Sequence, residues 1–111
     1  IASVRVFWSW ARVSAVMVPV SRFNISACDP STRARYAEVG YLLTGNEDEF
    51  AFLEWFAETL ELFGVGGLAG YGLGEGDLPI IAEAAAKASS TKGNPVAPSP
   101  EDFIGILRAA L

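Results

Sequence analysis

Between Glu47 and Phe63 the chain runs EDEFAFLEWFAETLELF, and this stretch narrows the choice of fold more than any other. Leu53, Phe56, Leu60 and Phe63 recur every three or four residues, the period of one helical face. Phe52, Trp55 and Leu62 widen that stripe, while Glu54, Glu58 and Glu61 keep a wet side. The acids Glu47, Asp48 and Glu49 suit the positive end of a helix dipole, and Gly64 supplies a left-handed stop. So much aromatic surface needs several neighbours, so the pattern predicts a central core helix. Phe56→Ala is then expected to cost about 3–5 kcal/mol if that ring is buried.

The rest of the composition sets bounds. A length of 111 residues suits one domain with a single core, and 51% apolar residues with 19% charged is ordinary globular usage. Cys28 is the one cysteine, so no internal disulfide forms. There is no histidine, which removes imidazole from this chain as a base and as a metal ligand. Residues 1–44 hold five arginines against two acids, and residues 45–111 hold three cations against eleven acids. That acidic balance argues against nucleic acid as a partner. The apolar opening is broken by Arg5, Arg12 and Pro19 and never reaches the roughly 20 residues that span a bilayer. A soluble, cytoplasmic chain with no membrane partner is expected. It begins with Ile1, and a piece of a longer protein is expected too.

Taken in order, residues 4–10 alternate as a strand would, but Ala11 to Val18 suit a buried helix as well, and helix is the expectation here. Pro19 should bend or interrupt it. Asp29 and Pro30 form a cap and first-position pair for a second helix carrying Tyr36, Val39 and Leu43 on one side and ending at Thr44-Gly45. Gly40 inside it costs roughly 1 kcal/mol against alanine, so the sequence leaves open whether it serves close packing. Gly64 to Gly76 is a glycine-rich connector from which Leu68, Tyr71 and Leu73 should dip into the core. Asp77-Leu78-Pro79 opens a helix through Ile81, Ala84, Ala85 and Ala88, ending near Ser89-Ser90-Thr91. Ser99-Pro100-Glu101-Asp102 opens the last, with Phe103, Ile106 and Leu107 buried. The result is an all-α fold, about five helices packed as an irregular bundle, in one domain over 1–111.

Several spellings tempt a functional reading. Gly64-Val65-Gly66-Gly67-Leu68-Ala69 matches the G-x-G-x-x-G/A dinucleotide pattern, but a helix precedes it where a strand is needed, so a connector is the better account. Ser89-Ser90-Thr91-Lys92 spells S-x-x-K at a helix end, where that nucleophile motif needs a helix start. Asn24-Ile25-Ser26 spells a glycosylation sequon with no secretion signal in view. Glu54, Glu58 and Glu61 make a solvated face without the loop ligands a calcium ion takes. Cys28 lacks a basic partner and is expected to pack.

Four stretches together carry a resemblance. Val16-Met17-Val18-Pro19-Val20-Ser21-Arg22-Phe23-Asn24 resembles the "LLP…RFN" helix of iron-containing, group III alcohol dehydrogenases. Arg35-Tyr36-Ala37-Glu38-Val39 is similar to that family's "RYAEVA" helix, and Gly70 to Leu73 with Asp77-Leu78-Pro79 to its "GL…EDLP" connector. Lys92-Gly93-Asn94-Pro95 and Ser99 to Phe103 resemble its "GNP…T-x-E-D-I" terminus. Their order spans residues 16–111, while residues 1–15 match poorly and Pro19 lies one residue nearer Arg22 than the family pattern has it.

The resemblance implies the C-terminal part of the all-α domain of a two-domain oxidoreductase. Its partner would be a nucleotide-binding α/β domain upstream of Ile1 that holds NAD(P). A divalent metal, usually Fe2+, would polarise a small alcohol or aldehyde while hydride passes to or from the nicotinamide. The family holds that metal with one aspartate and three histidines, and none of those positions can be carried onto this chain. Where a His-Gly pair would fall stand Ser9-Trp10-Ala11. No catalytic, cofactor-binding or metal-binding residue is therefore assigned, no cofactor is expected to bind this chain alone, and it is not expected to be active alone. The resemblance does place the Ser89–Asn94 loop towards the substrate side, with Ser90, Lys92 and Asn94 as cleft candidates. The alternative is a non-catalytic helical interaction module that has lost the metal site.

Overall fold

Five α-helices make up the described chain, with short 3₁₀ turns in the connections after the third and after the fourth. They are α1 (Ala2–Ala27), α2 (Pro30–Thr44), α3 (Ala51–Leu62), α4 (Leu78–Lys87) and α5 (Pro100–Ala110), with 3₁₀ turns at Leu68–Tyr71, Glu75–Asp77 and Ser89–Gly93. The structure, a computed structural model, describes the backbone of residues 2–111 and the side chains of residues 13–89 and 91–111. Among the described residues there is no strand, and no helix is long and apolar enough to cross a membrane.

α1 is the organising element. At 1.5 Å per residue its 26 residues run about 39 Å, which matches the 38 Å long dimension of the molecule. It touches α2 and α3, and it touches α5 and the first 3₁₀ turn, while α4 packs on α5. The two helix pairs scarcely meet except through α1. It also runs uninterrupted across Pro19.

The expectation of a central helix over 47–63 is therefore corrected. α3 is shorter, begins at Ala51, and buries only Ala51 and Leu53, leaving Phe56 half-buried and Leu62 and Phe63 exposed. Its start is displaced by local competition. Asn46 Oδ1 accepts the Asp48 N–H at 2.9 Å, and Asp48 Oδ1 accepts the Phe50 N–H at 2.8 Å. Such turns satisfy the backbone outside a helix, so the acidic run precedes the helix instead of forming its first turn.

The other boundaries follow their caps. Asp29 Oδ1 accepts the Thr32 N–H at 2.7 Å, with Pro30 at the first helical position. The Thr32 amide, then the Thr32 hydroxyl, hold the Asp29 carboxyl below its ordinary value, with a lesser contribution from the Arg35 charge. Gly45, at φ 76°, ends α2 by donating to the Tyr41 carbonyl. Gly64, at φ 71°, ends α3, with its N–H on Glu61 O and the Val65 N–H on Leu60 O. Arg33, from α2, donates Nε to Ile25 O at 3.1 Å and Nη2 to Cys28 O at 3.4 Å, so it covers carbonyls left over at the end of α1. Cys28 itself is buried there, as expected of a packing residue.

Gly40 turns out to be a close-packing residue. A Cβ on it would lie 3.0 Å from the Phe52 backbone nitrogen and 3.2 Å from Ala51 Cβ, so a side chain at this position would push α3 away.

The tighter core belongs to the other pair. Leu68, Leu78, Ala82, Leu107 and Ala110 are buried together, with Ala15 and Val16 of α1 and Tyr71, Leu73 and Phe103 packed around them. Ala82, with Ile81 and Ala85 partly covered, is the inward face of α4, and Ala84 is exposed. α4 also stops earlier than expected, at Lys87, because Ala88 is extended (ψ 135°) and Thr91 Oγ1 caps the Ala85 carbonyl at 2.6 Å. α5 opens with a reciprocal pair, Asp102 N–H on Ser99 Oγ and Ser99 N–H on Asp102 Oδ2.

The surface is larger than the mass requires. A monomer of 11.8 kDa should expose about 5,900 Å², and this one exposes 7205 Å². Its radius of gyration, 14.7 Å, likewise exceeds the roughly 13 Å of a compact domain of this length.

Candidate functional site

One polar node stands out, centred on the buried Asn24, where α1, α2 and the segment after the third 3₁₀ turn converge. Among the described side chains of α1, Ser21, Asn24 and Ile25 are buried, and Cys28, just past the end of the helix, is buried beside them. An amide buried there must find partners, because an unpaired buried polar group costs about 1–3 kcal/mol. Asn24 finds them across 70 positions of chain. Its Nδ2 donates to Asn94 Oδ1 at 2.8 Å, and Asn94 Nδ2 donates back to Asn24 Oδ1 at 2.7 Å. Asn94 Nδ2 also donates to the Val96 carbonyl at 2.6 Å, and Asn24 Nδ2 reaches the Tyr36 hydroxyl at 3.4 Å.

Both Asn94 amide hydrogens are thus spent inside the protein, and its oxygen faces another amide. Chemically this is a clamp. It fixes the strap from Asn94 to Pro98 onto α1, and it offers a substrate little that is not already engaged.

The cleft candidates are separated by this geometry. Asn94 lines a cavity of about 440 Å³ together with Val20, Thr91, Gly93, Pro98, Phe103 and Ile106. Lys92 is exposed at the rim of the same turn. The side chain of Ser90 lies outside the described residues. Ser89 to Lys92 belong to a 3₁₀ turn, so no helix start is present to activate a serine there. Gly64 to Ala69 run from the end of α3 into a 3₁₀ turn and not into an α-helix, which leaves no long helix N-terminus for a pyrophosphate.

The donor set does not fit a catalytic divalent metal of the histidine-rich kind. The chain has no histidine, and among the described residues no three of Cys, Asp and Glu come together in a ligand cluster.

Sequence reasoning picked out Asn94 and missed its partner. The signal was available: Asn24 lies three and four residues from Ser21 and Cys28 on an apolar face, where an amide without a partner would be costly. Which distant segment would answer it was not legible. No family model, curated protein or solved structure matches the chain.

Proposed function

We propose that the chain is the C-terminal part of the helical domain of a dehydrogenase of the iron-containing, group III alcohol type, and that it serves as scaffold to a reactive centre lying elsewhere in the parent protein. The observation that carries this reading is the clamp. Asn24 ends the stretch resembling "RFN", Tyr36 lies in the one resembling "RYAEV", and Asn94 lies in the one resembling "GNP". Three separate stretches that carry the resemblance supply the three side chains of one hydrogen-bonded node. Residues that share a partly buried hydrogen-bond network depend on one another, which gives a physical reason for those motifs to occur together.

A second support is the surplus surface. About 1,300 Å² beyond what a monomer of this mass exposes is the size of an interface between domains of one chain. In the proposed parent the cover is the nucleotide-binding α/β domain. That domain would bring NAD(P) and, with upstream residues of the helical domain, the metal ligands. The metal would supply Lewis-acid polarisation of an alcohol or aldehyde oxygen. This chain's own residues would hold the cleft loop in place through Asn24 and Asn94.

The uncovered face equally favours a helical interaction module that keeps the fold without the chemistry. Coding sequence upstream of Ile1 separates the two. An in-frame α/β domain with a glycine-rich phosphate loop and an Asp/His ligand set is the expected finding. A native start codon at or near Ile1 would overturn the dehydrogenase reading and leave the interaction module.

A further inference from the structure

Among the described residues, three cavities between the helices differ in how much polar chemistry they leave unspent. The one of about 440 Å³ beside the strap has Thr91 and Asn94 on its wall, and both side chains are committed to carbonyls and to Asn24. A second, of about 530 Å³, is bounded by Val16, Met17, Leu73, Ile81 and Leu107 among others and carries no polar side chain with which to select a ligand. The third, of about 410 Å³, lies between α2, α3 and the strap and is walled by Thr32, Arg35, Tyr36, Val39, Phe52 and Pro95. Its volume is within the range usual for small-molecule sites, about 300–1,000 Å³.

Arg35 is what sets this cavity apart. Among the described residues it makes no hydrogen bond and no ion pair. Asp29 lies close enough to feel its charge, but that carboxylate is taken by Thr32. Glu38, exposed one turn along α2, forms no ion pair with it. A guanidinium beside an apolar wall is thus left with its donor fork unused. The wall is aromatic on one side, where the Tyr36 and Phe52 rings are 6.2 Å apart and tilted by 45°.

We infer that this cavity binds a small monocarboxylate with an aromatic or branched aliphatic body. Arg35 takes the carboxylate through its planar fork, which matches two carboxylate oxygens better than a point charge would. Phe52, Val39 and Pro95 enclose the body, and the aromatic pair offers edges and faces for a third ring. One cation favours a monoanion, since a phosphate dianion would keep half its charge uncompensated. This inference is independent of the dehydrogenase reading.

Calorimetry or ligand-observed NMR with 4-phenylbutyrate, 4-phenylbutanol and 4-phenylbutylamine tests it on the full chain. A ligand of this size should bind with a dissociation constant of about 1 mM, and the neutral alcohol several-fold more weakly. Arg35→Met keeps the aliphatic stem and should weaken the acid by about tenfold, with Arg108→Met as a control that changes nothing. Arg35→Glu should reverse the preference towards the amine, an outcome that a merely structural arginine would not give. Circular dichroism checks that each variant is folded, as expected for an exposed and unbonded side chain. Equal affinity of wild type and Arg35→Met for the acid, equal affinity of acid and alcohol, or no binding at all would overturn the site.

Discussion

In the α4–α5 pair the apolar residues face inward: Leu78, Ala82, Ile106, Leu107 and Ala110 are buried, and Ile80 is the one large apolar side chain left substantially exposed. In the α2–α3 pair the burial is done by Gly40, Ala51 and Leu53, while Val39, Leu42, Leu43, Leu62 and Phe63 face outward. Leu42 is 76% and Leu62 83% exposed. Both pairs lean on α1, so the difference is not one of access to a core. The α4–α5 pair is closed by its own connectors, with Leu68 inserted and Leu111 seated where Gly67 has no Cβ to obstruct it. The α2–α3 pair has no such lid among the described residues. One half is finished, and the other presents a face large enough to receive something.

The sharpest way to break this comparison is a matched pair of truncations. Leu78→Ala should destabilise by about 2–5 kcal/mol, because it removes a fully enclosed side chain. Leu42→Ala should stay within about 0.5 kcal/mol, because water already surrounds that residue. Urea or thermal melts measure both, and similar losses would erase the distinction between halves.

Next in size is the clamp. Asn24→Ala leaves the Asn94 amide without its partner and should cost about 1–3 kcal/mol. A double-mutant cycle with Asn94→Ala should return a coupling of about 0.5 kcal/mol or more. Zero coupling would mean that the strap is held by something else.

A smaller effect probes how firmly the open pair is packed. Gly40→Ala gains about 1 kcal/mol of helix propensity but forces a Cβ against the Phe52 backbone, a clash usually worth about 1–3 kcal/mol. A net loss of about 1 kcal/mol is expected. A gain would show that α3 shifts aside freely.

The smallest concerns Asp29, whose folded carboxyl titrates below its unfolded value. The unfolded state binds the proton first, so the cap contributes fully above the unfolded aspartate range and is lost as pH falls through the lowered folded value. Asp29→Ala should remove that acid-side slope, and an unchanged pH profile of the melt would remove Asp29 as the cap.

How far the sequence led can be judged from particular residues. The caps were legible because each is a local exchange of hydrogen bonds: Asp29 with Thr32, Ser99 with Asp102, and the left-handed Gly45 and Gly64. The inward turn of Leu68 and the stripe of Ile106 and Leu107 were legible from period and spacing. The rank of the helices was not. The aromatic stripe of α3 reports that a face is apolar, and a periodicity cannot say whether the chain itself covers that face. So the Phe56 loss foreseen for a buried ring shrinks with its half-buried position. The Asn24–Asn94 pair and the Arg33 cap on α1 join segments that no local pattern connects. Pro19 was expected to bend or interrupt α1, and it does not interrupt it, the lost bond being one of many along 26 residues.

Native-state hydrogen exchange on the isolated chain tests the central claim most directly, because it reads both halves in one experiment. With α4–α5 closed and α2–α3 uncovered, amides of α4 and α5 should exchange at least about a hundredfold more slowly than those of α2 and α3. Uniform protection across all four helices would contradict it, since the α2–α3 face would then be as complete as the rest and would need no cover.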